Sequence, residues 1–211
     1  MTLQLLEPAS VTDEAIAHWL LTRDPLFGRL SAADAQCYAA SALEHGRHRA
    51  DIAGRRWGRD VCALAAALDV PVIECDTDAG FRSTIVFAEY NERLARITLY
   101  RAAIARINDK VRHRNLAASL GVGDCTPVFV AHEIYHHLER QDAAHSLARR
   151  CRVTLFRVGP WRWTGSLSSL DEIGAGAFAQ ALLGLPRHPG LLDLICVVDA
   201  QTAGPTLREA A

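Results

Sequence analysis

Along the chain the spacing of apolar and polar positions changes period several times, and each change marks an element. Residues 12–22 (TDEAIAHWLLT) put Ile16, Trp19 and Leu20 on one helical face, with Thr12 as N-cap, acids in the first turn and Pro25 beyond the end. A second helix is predicted from Ser31, where Ser31 and Asp34 form an S-x-x-D capping pattern, to a stop near Gly46. After Gly54 and Gly58 the run DVCALAAALDV is helical, and Asp69-Val70-Pro71 turns it into a short strand, PVIEC. STIVFAEY (83–90) and ARITLY (95–100) read as two further strands joined through Asn91-Glu92-Arg93 as a hairpin. Helical spacing returns over 101–119, where Ala103, Ile104, Ile107 and Val111 share a face. Thr126 as N-cap and Pro127 in the first turn open a helix over 127–141 (PVFVAHEIYHHLERQ). Arg152–Val158 fits a strand, 159–169 (GPWRWTGSLSS) a loop, and 170–183 a strong helix closed by Gly184 and Pro186. Residues 190–200 form a last apolar segment, and QTAGPTLREAA is expected to fray.

Three strand candidates between helices give an α+β class with a small, mainly antiparallel sheet. With no repeat and no low-complexity linker, residues 1–211 are expected to form one domain. Half of the residues are apolar and the net charge is −1, which excludes a small disulfide-stapled module and a disordered chain. It also argues against a nucleic-acid partner, since phosphate contacts need a basic excess. Six dispersed cysteines read as free thiols in a reducing compartment. The start MTLQLLEPAS lacks a basic, then apolar, secretory pattern, and charges interrupt every apolar stretch before about 18 residues. A cytoplasmic setting without a membrane partner is the expectation.

The chemistry concentrates in His132-Glu133-Ile134-Tyr135-His136, an HExxH pattern inside the 127–141 helix. Four residues make just over one turn, so both imidazoles project from one face, close enough to bind one metal ion. Glu133 follows the first histidine and stands beside the metal position, where it can take a proton from water. Chance alone yields such a pentapeptide in about 2% of shuffled chains of this composition. The plain alternative is therefore a helix surface that carries His and Glu, with His137 adding to the local abundance. A catalytic zinc site needs a third protein ligand. His136 is followed by His137-Leu138-Glu139, so a third histidine on the H-E-x-x-H-x-x-G-x-x-H spacing is excluded. Glu172 is the natural carboxylate, although Ser169-Leu170-Asp171-Glu172 also reads as a capping box, and Asp171 stands next to it.

The pairing of AHEIYHHLE with a later E-x-x-A-x-x-F-A-x-x-L-L-x-x-P (Glu172, Ala175, Phe178, Ala179, Leu182, Leu183 and Pro186) resembles the ImmA/IrrE-type metallopeptidases. The order of elements before it matches in outline: a helix ending in ALAAALDVPV, then short strands ending in RITLY. The resemblance covers residues 59–186, leaving 1–58 as an N-terminal helical extension and 187–211 as a C-terminal segment. It implies a zincin-like fold and Zn²⁺ held by His132, His136 and Glu172, with Glu133 as general base. It further implies hydrolysis of a peptide bond in a protein or peptide substrate such as a transcriptional regulator. Zincins often bind substrate along an edge strand, and ARITLY is the candidate. Where the family carries E-A-N or E-A-D, this chain has Gly174-Ala175-Gly176, and no helix-turn-helix adjoins. These departures frame the alternative, a zincin-like regulatory module that binds a partner without catalysis.

The remaining residues carry plainer expectations. Cys125 reads as a buried structural thiol, and His45 and His48 as a solvated pair at a helix end. His145, rather than Tyr135, is the guess for an oxyanion partner. Trp161 and Trp163 alternate in a loop, to line a groove or plug the core.

Overall fold

The computed structural model describes residues 11–76, 80–81, 84–142 and 146–202. His145, the first ten residues and the last nine lie outside them. Helix α1 (Asp13–Thr22) begins where the pattern predicts, the Thr12 hydroxyl accepting from the Ala15 N–H at 3.2 Å. A 3₁₀ turn (Phe27–Arg29) leads to Ser31, whose hydroxyl accepts from the Asp34 N–H at 3.1 Å and caps α2 (Ala32–Trp57). This helix does not stop near Gly46 but runs for 26 residues. The reason is tertiary. Gly46 faces a helix from the far end of the chain, α8 (Ser168–Leu183), and a Cβ at Gly46 would overlap the Gly174 carbonyl oxygen. A glycine inside a helix costs about 1 kcal/mol relative to alanine. Here the close approach of two backbones outweighs that preference.

Short helix α3 (Val61–Ala67), capped by Asp60, leads to β1 (Val72–Cys75). The 83–90 run is broken into β3 (Thr84–Ile85), which pairs with β2 (Gly80–Phe81), and β4 (Ala88–Asn91). The expected hairpin joins β4 to β5 (Arg96–Tyr100), with Tyr90 opposite Ile97. Strand β1 pairs parallel to β5 on its other side, giving the order β1-β5-β4. ARITLY is thus the central strand, hydrogen-bonded on both sides, and β1 and β4 are the edges, β4 being the one beside α6. Helix α4 (Arg101–His113) and a single turn, α5 (Ala117–Leu120), fill 101–120, separated by Asn115 at φ +54°.

Helix α6 (Thr126–Gln141) starts one residue earlier than predicted, because Asp124 takes the capping role: its carboxylate accepts from the Thr126 N–H at 3.0 Å. After α7 (Leu147–Arg150), β6 (Arg152–Val158) pairs antiparallel with β7 (Trp161–Ser166), so the segment expected to be a loop is half strand. Helix α8 is capped by Asp24, whose carboxylate accepts from the Ser169 N–H at 3.1 Å, and α9 (Gly190–Thr202) is the last described element.

Helix α8 is buried almost all round, the mark of a central helix. Its Ala175, Phe178 and Ala179 join Ile97, Ile104, Ile134 and Leu138 in a core beneath the sheet. Its Ile173 and Ala177 join Ala39, Leu43 and Leu147 in a second core against α2. The architecture is mixed α+β, dominated by helices. Among the described residues no helix is long and apolar enough to cross a membrane.

Candidate metal centre

Two elements bring the chemistry together. Helix α6 turns Ile134 and Tyr135 fully into the core, which leaves His132 and His136 on the opposite, half-open face. Helix α8 crosses that face and presents Glu172. The His132 and His136 Nε2 atoms lie 3.1 Å apart, and the Glu172 carboxylate oxygens lie 3.0 Å from His132 and 3.5 Å from His136. Ligands bound to zinc at about 2.0–2.1 Å in a tetrahedron sit about 3.3–3.4 Å from one another. The donor distances of 3.0, 3.1 and 3.5 Å bracket that spacing, and these two imidazoles with one carboxylate form a group that could hold a metal ion.

Glu172 does not cap its own helix. It lies in the second turn, after Ser168 and Ser169 have already engaged Asp24. Asp171 lies on the rim of a neighbouring cavity, where burial and the charge of Glu139 push its carboxyl up to about 6. Burial penalises charge on His132, yet the hydrogen bond and the charge of Glu172 outweigh it and hold the imidazole up at about 9. The same pairing outweighs burial at Glu172 and draws its carboxyl down to about 2. His136 is held down at about 4 by burial and by the His132 charge.

Glu133 sits beside the three donors without joining them. The Tyr90 backbone N–H donates to its carboxylate at 2.9 Å, and burial raises its pKa despite the nearby His132. The Tyr90 phenol meets His137 Nδ1 at 2.8 Å, and His137 Nε2 meets Gln141 at 2.8 Å. His137 therefore ties the edge strand to α6. Tyr90 was not foreseen, because its part is played by a backbone amide that any residue carries.

Two cavities open on either side of the cluster. One, of about 450 Å³, is walled by Trp19, Phe87, Val128, Phe129 and Leu192, with Phe87 stacked on Phe129 at 4.6 Å. The other, of about 400 Å³, is edged by Glu92, Glu139, Asp171 and Arg140. Glu133 and Glu172 border both. Asp193 on α9 opens into the apolar cavity, where burial raises its carboxyl to about 6 against the pull of His132. The lone acid in LLDLIC was its sequence signal.

Residues with plainer expectations divide. Cys125 is fully buried, as expected. His45 is not a solvated partner of His48: it is buried within α2 and meets Glu139 of α6 at 2.9 Å, beside Arg49. Tyr135 is fully buried, and its hydroxyl has no hydrogen-bond partner among the described residues. Gly174 and Gly176 have packing reasons. A Cβ at Gly174 would overlap the Tyr135 hydroxyl, and one at Gly176 would overlap the His188 ring. His188 is fully buried and neutral, its Nε2–H donating to the Ile173 carbonyl at 3.0 Å and its Nδ1 accepting from the Gly190 N–H at 3.1 Å. No family model, curated protein or solved structure matches the chain.

Proposed function

We propose that the chain is a zinc-dependent metallopeptidase with a zincin-like fold, as its resemblance to the ImmA/IrrE type implies. The observation that carries this reading is the convergence of His132, His136 and Glu172 close to tetrahedral spacing, with Glu133 alongside and outside the donor set. When bound, zinc supplies Lewis-acid polarisation of the scissile carbonyl and acidifies water. Glu133 is placed to take the proton of the attacking water and to deliver it to the leaving nitrogen. Its raised pKa suits that double duty, since a carboxylate nearer neutrality both accepts and returns a proton. The Tyr90 amide fixes the direction of the carboxylate. A peptide laid along β4 passes from the apolar cavity to the acidic one, so its backbone meets a sheet edge and its side chains meet unlike walls.

The alternative, a partner-binding module without catalysis, drew on Gly174 and Gly176. Tyr135 and His188 fill the space that side chains there would take, so both glycines also have a packing reason. The deciding experiment is metal stoichiometry by mass spectrometry on protein purified without chelator, followed by cleavage of a peptide library. About one zinc per chain, retained in Glu133→Gln while cleavage is lost, supports the reading. Failure to retain zinc after loading overturns it, as does wild-type cleavage by Glu133→Gln.

A further inference from the structure

The hairpin β6–β7 breaks the rule that apolar side chains turn inward. Phe156, Val158, Trp161 and Trp163 are 52, 63, 68 and 48% exposed. Phe156 pairs with Trp163 across the ladder, and Val158 with Trp161, so period-2 alternation places all four on one face. Phe156 and Trp163 stack with ring centres 4.6 Å apart. The opposite face carries Arg157 directly across from Arg162, a like-charge pair that is unfavourable in isolation. From 156 to 158 and from 161 to 163 every residue is exposed, whichever face it occupies, so the distal half of the hairpin stands clear of the body.

The tip has an unusual composition. Val158-Gly159-Pro160-Trp161 holds no polar side chain where hairpin turns ordinarily carry Asn, Asp or Ser. Gly159 takes φ +56°, as the first central position of a two-residue II′ turn requires. The body holds the base through Arg29, which donates to the Leu155 carbonyl at 2.6 Å, and within the hairpin Arg152 donates to the Thr164 hydroxyl at 2.7 Å and carbonyl at 2.8 Å. No acid occurs between Asp142 and Asp171, whereas Arg149, Arg150, Arg152, Arg157 and Arg162 do, in a chain whose net charge is −1.

We propose that this hairpin docks the protein, tip first, on an anionic lipid surface. The apolar tip extends past the Arg157–Arg162 pair by about 5–7 Å, at about 3.4 Å per residue. Interfacial elements sink about 5–10 Å, to the boundary of headgroups and acyl chains. Seated so, the tip residues enter that boundary, Trp161 and Trp163 occupy the depth that indoles favour, and both guanidinium groups reach the phosphate plane. The like-charge pair then has its counter-ions. A single nucleic-acid strand fits less well, because bases stacked on the aromatic face would turn their phosphates away from the arginines. This departs from the expectation of no membrane partner, which rested on the lack of a spanning segment, and this mode needs none.

The test is co-sedimentation of the full chain with vesicles of about one-third phosphatidylglycerol in phosphatidylcholine, against pure phosphatidylcholine, at low salt. Binding to the anionic vesicles is expected to fall about 30-fold in Arg157→Gln/Arg162→Gln and to vanish in Val158→Asp/Trp161→Asp. Both variants change exposed side chains, and their urea midpoints report that the fold is intact. Glu133→Gln binds vesicles like the parent, which separates this proposal from the peptidase reading. Absence of binding, equal binding to neutral vesicles, or binding indifferent to both double variants overturns the proposal. So does a stable dimer in light scattering, or a complex with a single-stranded oligonucleotide, that Val158→Asp/Trp161→Asp dissolves.

Discussion

The hairpin β6–β7 runs directly into helix α8, yet the two segments follow opposite rules of packing. In α8 small residues bring neighbouring backbones together, and buried side chains leave almost no surface to water. In the hairpin large apolar residues face outward, and two arginines face each other. The first arrangement fixes the position of Glu172 relative to α6. Beyond Val153, which is buried in the second core, the hairpin puts its apolar area where only another surface can use it. Adjacent stretches of one chain thus separate the work of holding a reactive constellation from that of offering a contact.

Substitutions distinguish the two regions, and the largest effects belong to the helices. On the peptidase reading, Glu133→Gln is expected to lower peptide hydrolysis by about 10²–10⁴-fold with zinc retained, read from kcat/KM beside metal content. Gly46→Ala drives a methyl into the Gly174 carbonyl and destabilises the fold by about 2–4 kcal/mol in urea titration; a change below about 0.5 kcal/mol would break the packing argument. Acid sensitivity belongs to the interior as well. Burial holds His188 at about 4, below its ordinary 6.5, so the unfolded chain takes up a proton that the folded one refuses. Stability therefore declines as pH falls from about 6.5 to 4, by up to about 3 kcal/mol from this group, and the decline ends below its folded pKa. Urea midpoints across that range check it, and His188→Gln, weaker at neutral pH, loses that part of the slope. At the other extreme, Trp163→Ser on the hairpin changes stability by no more than about 0.5 kcal/mol. A loss comparable to that of Gly46→Ala would mean that the distal half of the hairpin belongs to the core after all.

Local pattern made much of this structure legible. Thr12, Ser31 and Asp60 cap helices within a residue of the expected starts, and the HExxH helix and the Glu172 helix lie where their spacing puts them. What the pattern hid depends on distant partners. Gly46 looks like a stop when only intrinsic propensity is weighed, and it becomes a contact only once Gly174 is known to lie opposite. The Gly159-Pro160 turn and the Ser-rich end of 159–169 masked β7, although Trp161 and Trp163 already showed a period of two. Strand rank within a sheet is not a local property either. ARITLY alternates buried and half-buried positions as a central strand does, but the parallel partner that makes it central comes from Val72–Cys75. The candidate metal donors were readable because a turn of helix fixes His132 against His136. Choosing Glu172 over Asp171 required the angle at which α8 crosses.

The amide of Tyr90 has a consequence for register. In β4 the groups of Phe87 point to β5, where the Phe87 carbonyl accepts from Tyr100, so those of Ala88 and Tyr90 point outward. Of these four outward groups the Tyr90 N–H already belongs to Glu133, and the other three have no hydrogen bond to the described residues. A strand added to this edge finds one rung of the ladder missing, beside the reactive carboxylate. Whichever register such a strand takes, one of its carbonyls meets the Tyr90 N–H that Glu133 already engages, so the added ladder is one bond short at that point.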